Sequence, residues 1–176
     1  LLFMGIALLQ QAFAGLAGAL GVATIAGFGL AGLLLFYQLG SAALYHYGGF
    51  MASSVLLGLA FLSMAVLLSV VARERTRASG LAIALWFFFV LVFDLVLLGV
   101  LVSTGGQFGG EALAWLLLLN PADVFRILNV FSLDDVRTLY GLASIVPASL
   151  GSQALLSGVM LVWIVVPLLV ARWRFR

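Results

Sequence analysis

Asp94 is the only acidic residue inside an apolar stretch long enough to cross a membrane, in the run Phe93-Asp94-Leu95. An ionised side chain in hydrocarbon is costly unless it pairs or meets water, so this intramembrane acid is a candidate functional residue. A proton relay needs a second titratable group nearby, and the sequence indicates none. The alternatives are a hydrogen bond to a Tyr, Gln or Ser on a neighbouring helix, or contact with water near the outer leaflet.

Metal and hydrolytic chemistry have little support. The single histidine, His46, lies in Tyr45-His46-Tyr47, in a predicted short outer loop where it fits an aromatic membrane anchor better than a metal ligand. The chain has no Cys, and its four Met residues lack the paired spacing of a copper pathway. An intramembrane protease needs a Ser with a His, or two aspartates, at membrane depth. We therefore predict no catalytic residue, metal site or cofactor in this chain.

The charged residues are distributed as in a membrane protein. Residues 1–72 contain no Asp, Glu, Lys or Arg, while 65% of the whole chain is hydrophobic and 8% is charged. Each ionised side chain at the centre of a membrane helix costs roughly 2.5–3.5 kcal/mol, and basic residues collect on the cytoplasmic side. We therefore expect both arginine clusters in the cytoplasm and no binding to nucleic acid. The clusters are Arg73, Arg75 and Arg77, and Arg172, Arg174 and Arg176.

About 20 apolar helical residues are needed to cross a bilayer. Four uncharged runs meet this length, at residues 12–36, 50–72, 79–102 and 153–171. The apolar run at 112–119 ends at Asn120-Pro121 and is too short to span. The sequence predicts an all-α polytopic membrane protein with four transmembrane helices. Residues 103–152, with four of the six acids, form an extracytoplasmic helical segment in this prediction.

Small residues recur every four positions in the first span, which allows close approach of another helix. This stripe predicts helix packing, within the chain or across a dimer, and a substrate pathway lined by small residues is the alternative. The stripe consists of Gly15, Ala19, Ala23, Gly27 and Ala31.

The outer segment contains a well-marked helix start. Asn120 precedes Pro121 at the first helical position, and Asp123 lies near the positive end of the helix dipole. The following residues predict an amphipathic helix at the outer interface. Two interpretations stay open: this helix docks an outer partner, or it is a lid that packs on its own bundle.

Arg73, Glu74 and Arg75 join the second and third spans on the predicted inner side. Such a basic loop anchors a membrane protein by contact with lipid phosphates. It is also a short connection through which an attached force-generating subunit transmits movement.

Three runs carry a resemblance to a known family: residues 69–86, Phe93-Asp94-Leu95, and above all Asn120-Pro121-Ala122-Asp123-Val124-Phe125-Arg126. The chain resembles type-two ABC transporter permeases, and more narrowly the permease subunit of the nitrous oxide reductase maturation system. The resemblance covers essentially the whole chain as the last four of six spans. Because the chain also lacks an initiating Met, we expect it to be part of a longer protein.

The resemblance implies a homodimeric subunit of the bacterial inner membrane, driven by cytoplasmic ATPase subunits that bind ATP and Mg, and supporting copper-site assembly. It places one group of residues against a periplasmic partner: Asn120, Pro121, Asp123, Phe125 and Arg126. It places Arg73, Glu74 and Arg75 on the ATPase side. Two alternatives remain, an exporter of another cargo such as a lipid, peptide or small molecule, and a passive anchor for a periplasmic protein.

Overall fold

The computed structural model describes residues 2–72, 74–105, 110–131 and 152–174. Within these ranges the regular structure is helical, as the sequence predicts. The α-helices are α1 Leu2–Leu39, α2 Ser41–Val71, α3 Arg75–Phe87, α4 Phe93–Ser103, α5 Gly110–Leu117, α6 Pro121–Phe131 and α7 Gln153–Arg174. A π-helical segment, Phe88–Val92, joins α3 to α4.

Four helical stretches are long and apolar enough to cross a membrane: Gly5–Gln38, Tyr47–Val71, Arg75–Ser103 and Gln153–Arg174. They coincide with the four predicted spans and extend them by a few residues at most ends, because helical hydrogen bonding continues into the polar interface. We call Arg75–Ser103, which comprises α3, the π segment and α4, the third span. The predicted all-α polytopic fold is therefore confirmed.

The connection between α1 and α2 is much shorter than the sequence suggests. The short outer loop expected near residues 37–49 is helical on both sides of Gly40, where the chain turns with a φ of +79° that favours glycine. The Tyr45-His46-Tyr47 run therefore lies in α2 and not in a loop, although the side chains of Tyr45 and His46 lie outside the described part of the structure.

α1 and α2 pack as antiparallel neighbours. The Tyr47 hydroxyl donates a hydrogen bond of 2.7 Å to the carbonyl of Phe28, and farther along the pair Leu20 lies against Gly58. A Cβ atom on Gly58 would come within 2.6 Å of Leu20 Cδ2, so a larger residue there would displace the end of the Leu20 side chain. The contact leaves the stripe of small residues on α1 exposed.

α2 and α7 run in the same direction. Ser63 Oγ donates to the carbonyl of Trp163 at 3.1 Å, while Gly49 and Gln153 line one cavity of about 360 Å³. Val71 and Arg172 consequently lie towards the same end of the bundle, next to the start of the third span at Arg75. The described members of the two arginine clusters, Arg75, Arg77, Arg172 and Arg174, thus share one end, and we call the opposite end the outer end.

α5 and α6 fold back between the spans instead of crossing. A core of buried side chains joins them to α7, with Leu56 and Leu57 of α2 against it. The sequence left two interpretations of α6 open, a helix that docks an outer partner or a lid that packs on its own bundle. In the structure the apolar face of α6 packs on the protein's own bundle. The core consists of Ala114, Leu118, Val124, Leu128, Leu156 and Met160. We call α5, residues 118–120 and α6 the hairpin.

Candidate functional site

Asn120 organises the turn of the hairpin. Its Oδ1 accepts a hydrogen bond of 3.0 Å from the backbone N–H of Ala122, which caps the first turn of α6. Its Nδ2 donates to the carbonyl of Phe89 at 2.7 Å and to Asp123 Oδ2 at 2.8 Å. Asn120 is fully buried, so one side chain both starts α6 and attaches it to the third span.

The turn lies at the level of the middle of the spans. Phe89 is midway along Arg75–Ser103, and Trp163, whose Nε1 donates to the carbonyl of Leu118 at 3.2 Å, is near the middle of Gln153–Arg174. From this level α6 returns to the outer end, where Ser53 Oγ donates to Asn129 Oδ1 at 3.0 Å. Irregular backbone at membrane depth is tolerated where protein covers it, and Asn120 and Trp163 provide that cover.

The turn meets the third span at an irregular place. The backbone N–H of Phe93 donates to the carbonyl of Phe88, five residues back, as in a π-helix. A regular α-helix would direct this N–H to the carbonyl of Phe89. The carbonyl of Phe89 instead accepts the hydrogen bond from Asn120 Nδ2.

Three charged side chains form a cluster beside this contact. Arg126 Nη1 donates to Asp94 Oδ2 at 2.5 Å and to Asp123 Oδ1 at 2.7 Å, and Nη2 reaches the carbonyl of Val90 at 3.4 Å. The side chain of Asp123 is only 5% exposed, whereas those of Asp94 and Arg126 are 38% and 47% exposed. One guanidinium thus joins a buried acid of the hairpin to a half-exposed acid of the third span.

Burial controls the acidity of this cluster. Loss of water around the carboxyl group raises the pKa of Asp123 from 3.8 to about 6, with a further rise from the negative charge of Asp94. The charge of Arg126 and the hydrogen bond from Asn120 act in the opposite direction. The hydrogen bond to Asp94 raises the pKa of Arg126, so the guanidinium stays charged at every accessible pH.

The exposed side of the cluster has a defined environment. Asp94 lies five residues beyond Phe89, about 7.5 Å farther towards the outer end at 1.5 Å per residue. Ionisable groups at membrane depth face water or protein and not lipid chains. In a membrane we therefore expect the exposed part of Asp94 to meet water or protein and not lipid chains.

The sequence alone does not reveal the partner of Asp94. It suggested a Tyr, Gln or Ser, or water, and no second titratable group, whereas the structure brings Arg126 to Asp94. The available signal was one of charge: Asp94 is the only acid in a span, and Arg126 is one of two basic residues in 103–152. No sequence signal identified the π segment or the contacts made by Ser53, Ser63 and Trp163.

Burial divides the five residues predicted to face an outer partner. Asn120, Pro121 and Asp123 are buried within the chain, where the hydrogen bonds of Asn120 hold the hairpin in place. Phe125 is partly buried beside Phe50, with ring centroids 6.1 Å apart, and Arg126 is the most accessible of the five. Contact of these residues with a partner stays a prediction.

The remaining predicted residues lie elsewhere. Glu74 and Arg75 are exposed where the third span begins, and Arg73 lies outside the described residues. The small-residue stripe contacts nothing in the described chain at Gly15 or Gly27, where an added Cβ would have no neighbour within 4 Å. Among the described residues no group of three His, Cys, Asp or Glu side chains converges on a metal position.

Four candidate spans, with a hairpin that reaches mid-span and a buried polar contact between them, are the features of a multi-pass membrane protein. The sequence matches the family described as ABC-2 family transporter protein over residues 4–176. The chain belongs to the ABC-2 transporter family.

Two curated relatives carry the same name, "Probable ABC transporter permease protein NosY". The chain is 42% identical over 161 residues to the one from Stutzerimonas stutzeri, which covers 89% of this chain and 58% of the relative. It is 46% identical over 136 residues to the one from Pseudomonas aeruginosa, which covers 74% of this chain and 50% of the relative. The chain thus spans little more than half the length of these relatives.

Proposed function

We propose that this chain is the membrane part of an ABC transporter that converts ATP hydrolysis in a cytoplasmic ATPase subunit into movement at the outer face of the bacterial inner membrane. The observation that carries the proposal is the path of the third span. It begins at exposed Arg75, beside the arginine-rich end, and its π segment contacts the hairpin through Asn120 and Arg126. A displacement at the arginine end therefore reaches the hairpin through one continuous helix.

The biological setting is the maturation of the copper sites of periplasmic nitrous oxide reductase. Support comes from the Asn120-Pro121-Ala122-Asp123-Val124-Phe125-Arg126 run and from the 42% and 46% identity to proteins named NosY. In this setting the chain works as a homodimer with a periplasmic partner at the hairpin. Force transmission, or passage of a sulfur-containing species, suits the residues better than copper conduction, because the described spans hold no cluster of metal ligands.

Complementation tests both parts of the proposal. In a host that makes nitrous oxide reductase, the permease gene is deleted and the full-length protein is supplied together with an active or a hydrolysis-deficient ATPase subunit. We expect the ATPase to co-purify with the permease, and the reductase to gain copper only with the active ATPase.

Each other outcome has a separate meaning. Copper loading with the inactive ATPase makes the protein a passive anchor and contradicts coupling. Normal copper loading in the deletion strain without any permease contradicts the maturation role. If the ATPase also co-purifies with the permease in the complemented strain, the result favours an exporter of another cargo.

A further inference from the structure

The contact between the hairpin and the third span has a consequence for the helix itself. The five residues Phe88–Val92 form a π turn, which accommodates one residue more than a regular α-helix. Conversion of this turn to α-helix would rotate α4 relative to α3 by about 100° and shift it by about 1.5 Å, the rotation and rise of one residue. A π turn is therefore a place where a span can rotate in one discrete step.

The hydrogen bonds show what holds the π turn. In the α form, the N–H of Phe93 would take the carbonyl of Phe89, which now accepts from Asn120 Nδ2 at 2.7 Å. The amide of Asn120 thus occupies one of the two lone pairs of the carbonyl that the N–H of Phe93 would take in the α form, which favours the π form without making the two bonds mutually exclusive. The adjacent carbonyl of Val90 faces Arg126 Nη2, so two polar residues of the hairpin meet the same turn.

We infer that Asn120 is a positioning residue that keeps the third span in its π register, so that docking of the hairpin sets the rotation of α4. With the hairpin docked, Phe89 bonds Asn120 and Asp94 lies against Arg126. With the hairpin released, Phe93 bonds Phe89, the span is a regular helix, and Asp94 turns away from Arg126. A role for this change of register in ATP coupling rests on the proposed function. The control of the π register of the third span by Asn120 does not.

The test replaces the donor and keeps the helix start. Asn120→Ser retains a side chain that caps α6 but is too short to reach the carbonyl of Phe89. Asn129→Ser is the matched control, because Asn129 lies on the same helix and bonds Ser53 of α2 and the carbonyl of Phe125. The chain has no Cys, so a single cysteine introduced for a spin label is the only one within these 176 residues.

A nitroxide scan of residues 95–102 measures the register in the assembled, nucleotide-free complex in membranes. In the structure Leu97 is buried, while Leu95, Val96 and Leu98 are exposed. We expect the accessibility minimum at Leu97 in the wild type and in Asn129→Ser. In Asn120→Ser we expect the π turn to convert to α-helix, which brings Val96 to the place of Leu97. The accessibility minimum then moves by one position, to Val96.

A deletion provides the rescue. Removal of half-exposed Leu91 shortens the π turn by one residue, so a regular helix then presents the native face of α4. We expect Asn120→Ser combined with this deletion to return the minimum to Leu97, and to restore accumulation in the membrane if Asn120→Ser alone is lost. A merely disrupted fold would not be repaired by a deletion.

The inference is overturned if the minimum stays at Leu97 in Asn120→Ser, if the deletion does not restore it, or if neither variant accumulates. The scan uses no ATP hydrolysis and no copper. Its failure is therefore distinct from a failure of the proposed function, which is judged by copper loading of the reductase.

Discussion

Replacement of Arg126 by Gln should destabilise the hairpin more than replacement of Asp94 by Asn. Arg126 Nη1 contacts Asp123 at 2.7 Å, and the Asp123 side chain is only 5% exposed. Removing one partner of a buried ion pair leaves the other charge without compensation and costs about 3–5 kcal/mol. Here the loss should be smaller, about 2 kcal/mol at pH 7.5, because Arg126 is 47% exposed and because Asp123, whose pKa is already about 6, can take up a proton instead of staying ionised.

The pair with Asp94 supplies the comparison. Its side chains are 47% and 38% exposed, and ion pairs of this exposure contribute about 0–1 kcal/mol. Asp94→Asn should therefore have a small effect. Asp123→Asn, introduced into Arg126→Gln, removes the uncompensated charge and should recover most of the loss. Arg77→Gln, at the exposed arginine end, is the control for loss of a positive charge.

The free energy of unfolding of the purified full-length protein in mixed detergent micelles, followed by tryptophan fluorescence at pH 7.5, measures these differences. Trp163 reports directly, because its indole bonds the turn of the hairpin. An Arg126→Gln loss no larger than that of Asp94→Asn would refute the reasoning. No recovery on adding Asp123→Asn would refute it as well.

Three further predictions follow from other contacts. The pKa of Asp123 is raised from 3.8 to about 6, so the docked hairpin binds the proton more tightly than the undocked one. Docking should therefore be most stable in acid. It should weaken by about 3 kcal/mol as the pH rises from 3.8 to about 6. Asp123→Asn should abolish this dependence in pH-resolved unfolding. Gly58→Leu should lower the free energy of unfolding by about 1–3 kcal/mol, because the new side chain drives Leu20 away from α2. Gly80→Leu is the control, because Gly80 has open space around it. Unfolding curves of the two variants that coincide would contradict this prediction. His46→Ala should leave copper loading of the reductase intact, and loss of copper on this change alone would favour a metal role.

Hydrophobicity and charge distribution were sufficient to predict the spans. A span is a local property, because about 20 apolar residues in series must cross the bilayer wherever they occur. The start of α6 was also local, since Asn120 and Pro121 are adjacent and their helix-start chemistry depends on no other element. The sequence therefore predicted the four spans and this cap, but not the helical start of α2 before Tyr47.

The contacts between helices could not be read in the same way. Asp94 and Arg126 are separated by 32 positions, and Ser63 and Trp163 by 100, so no short-range spacing relates them. The π segment lies in the aromatic run Trp86-Phe87-Phe88-Phe89, whose composition is equally compatible with a regular helix. Its position depends on a hydrogen bond from Asn120, which only the folded hairpin supplies.

A label on the turn of the hairpin tests most directly whether events at the ATPase reach the hairpin. Leu119 is adjacent to Asn120 but is 56% exposed, so a cysteine-linked fluorophore there leaves the buried contacts in place; Val22, on an exposed face of α1, carries the control label. In the assembled complex we predict that ATP changes the emission at position 119 and leaves position 22 unchanged, and that a hydrolysis-deficient ATPase prevents repeated cycling. Unchanged emission at position 119 during active ATP hydrolysis would contradict coupling through the third span and the hairpin.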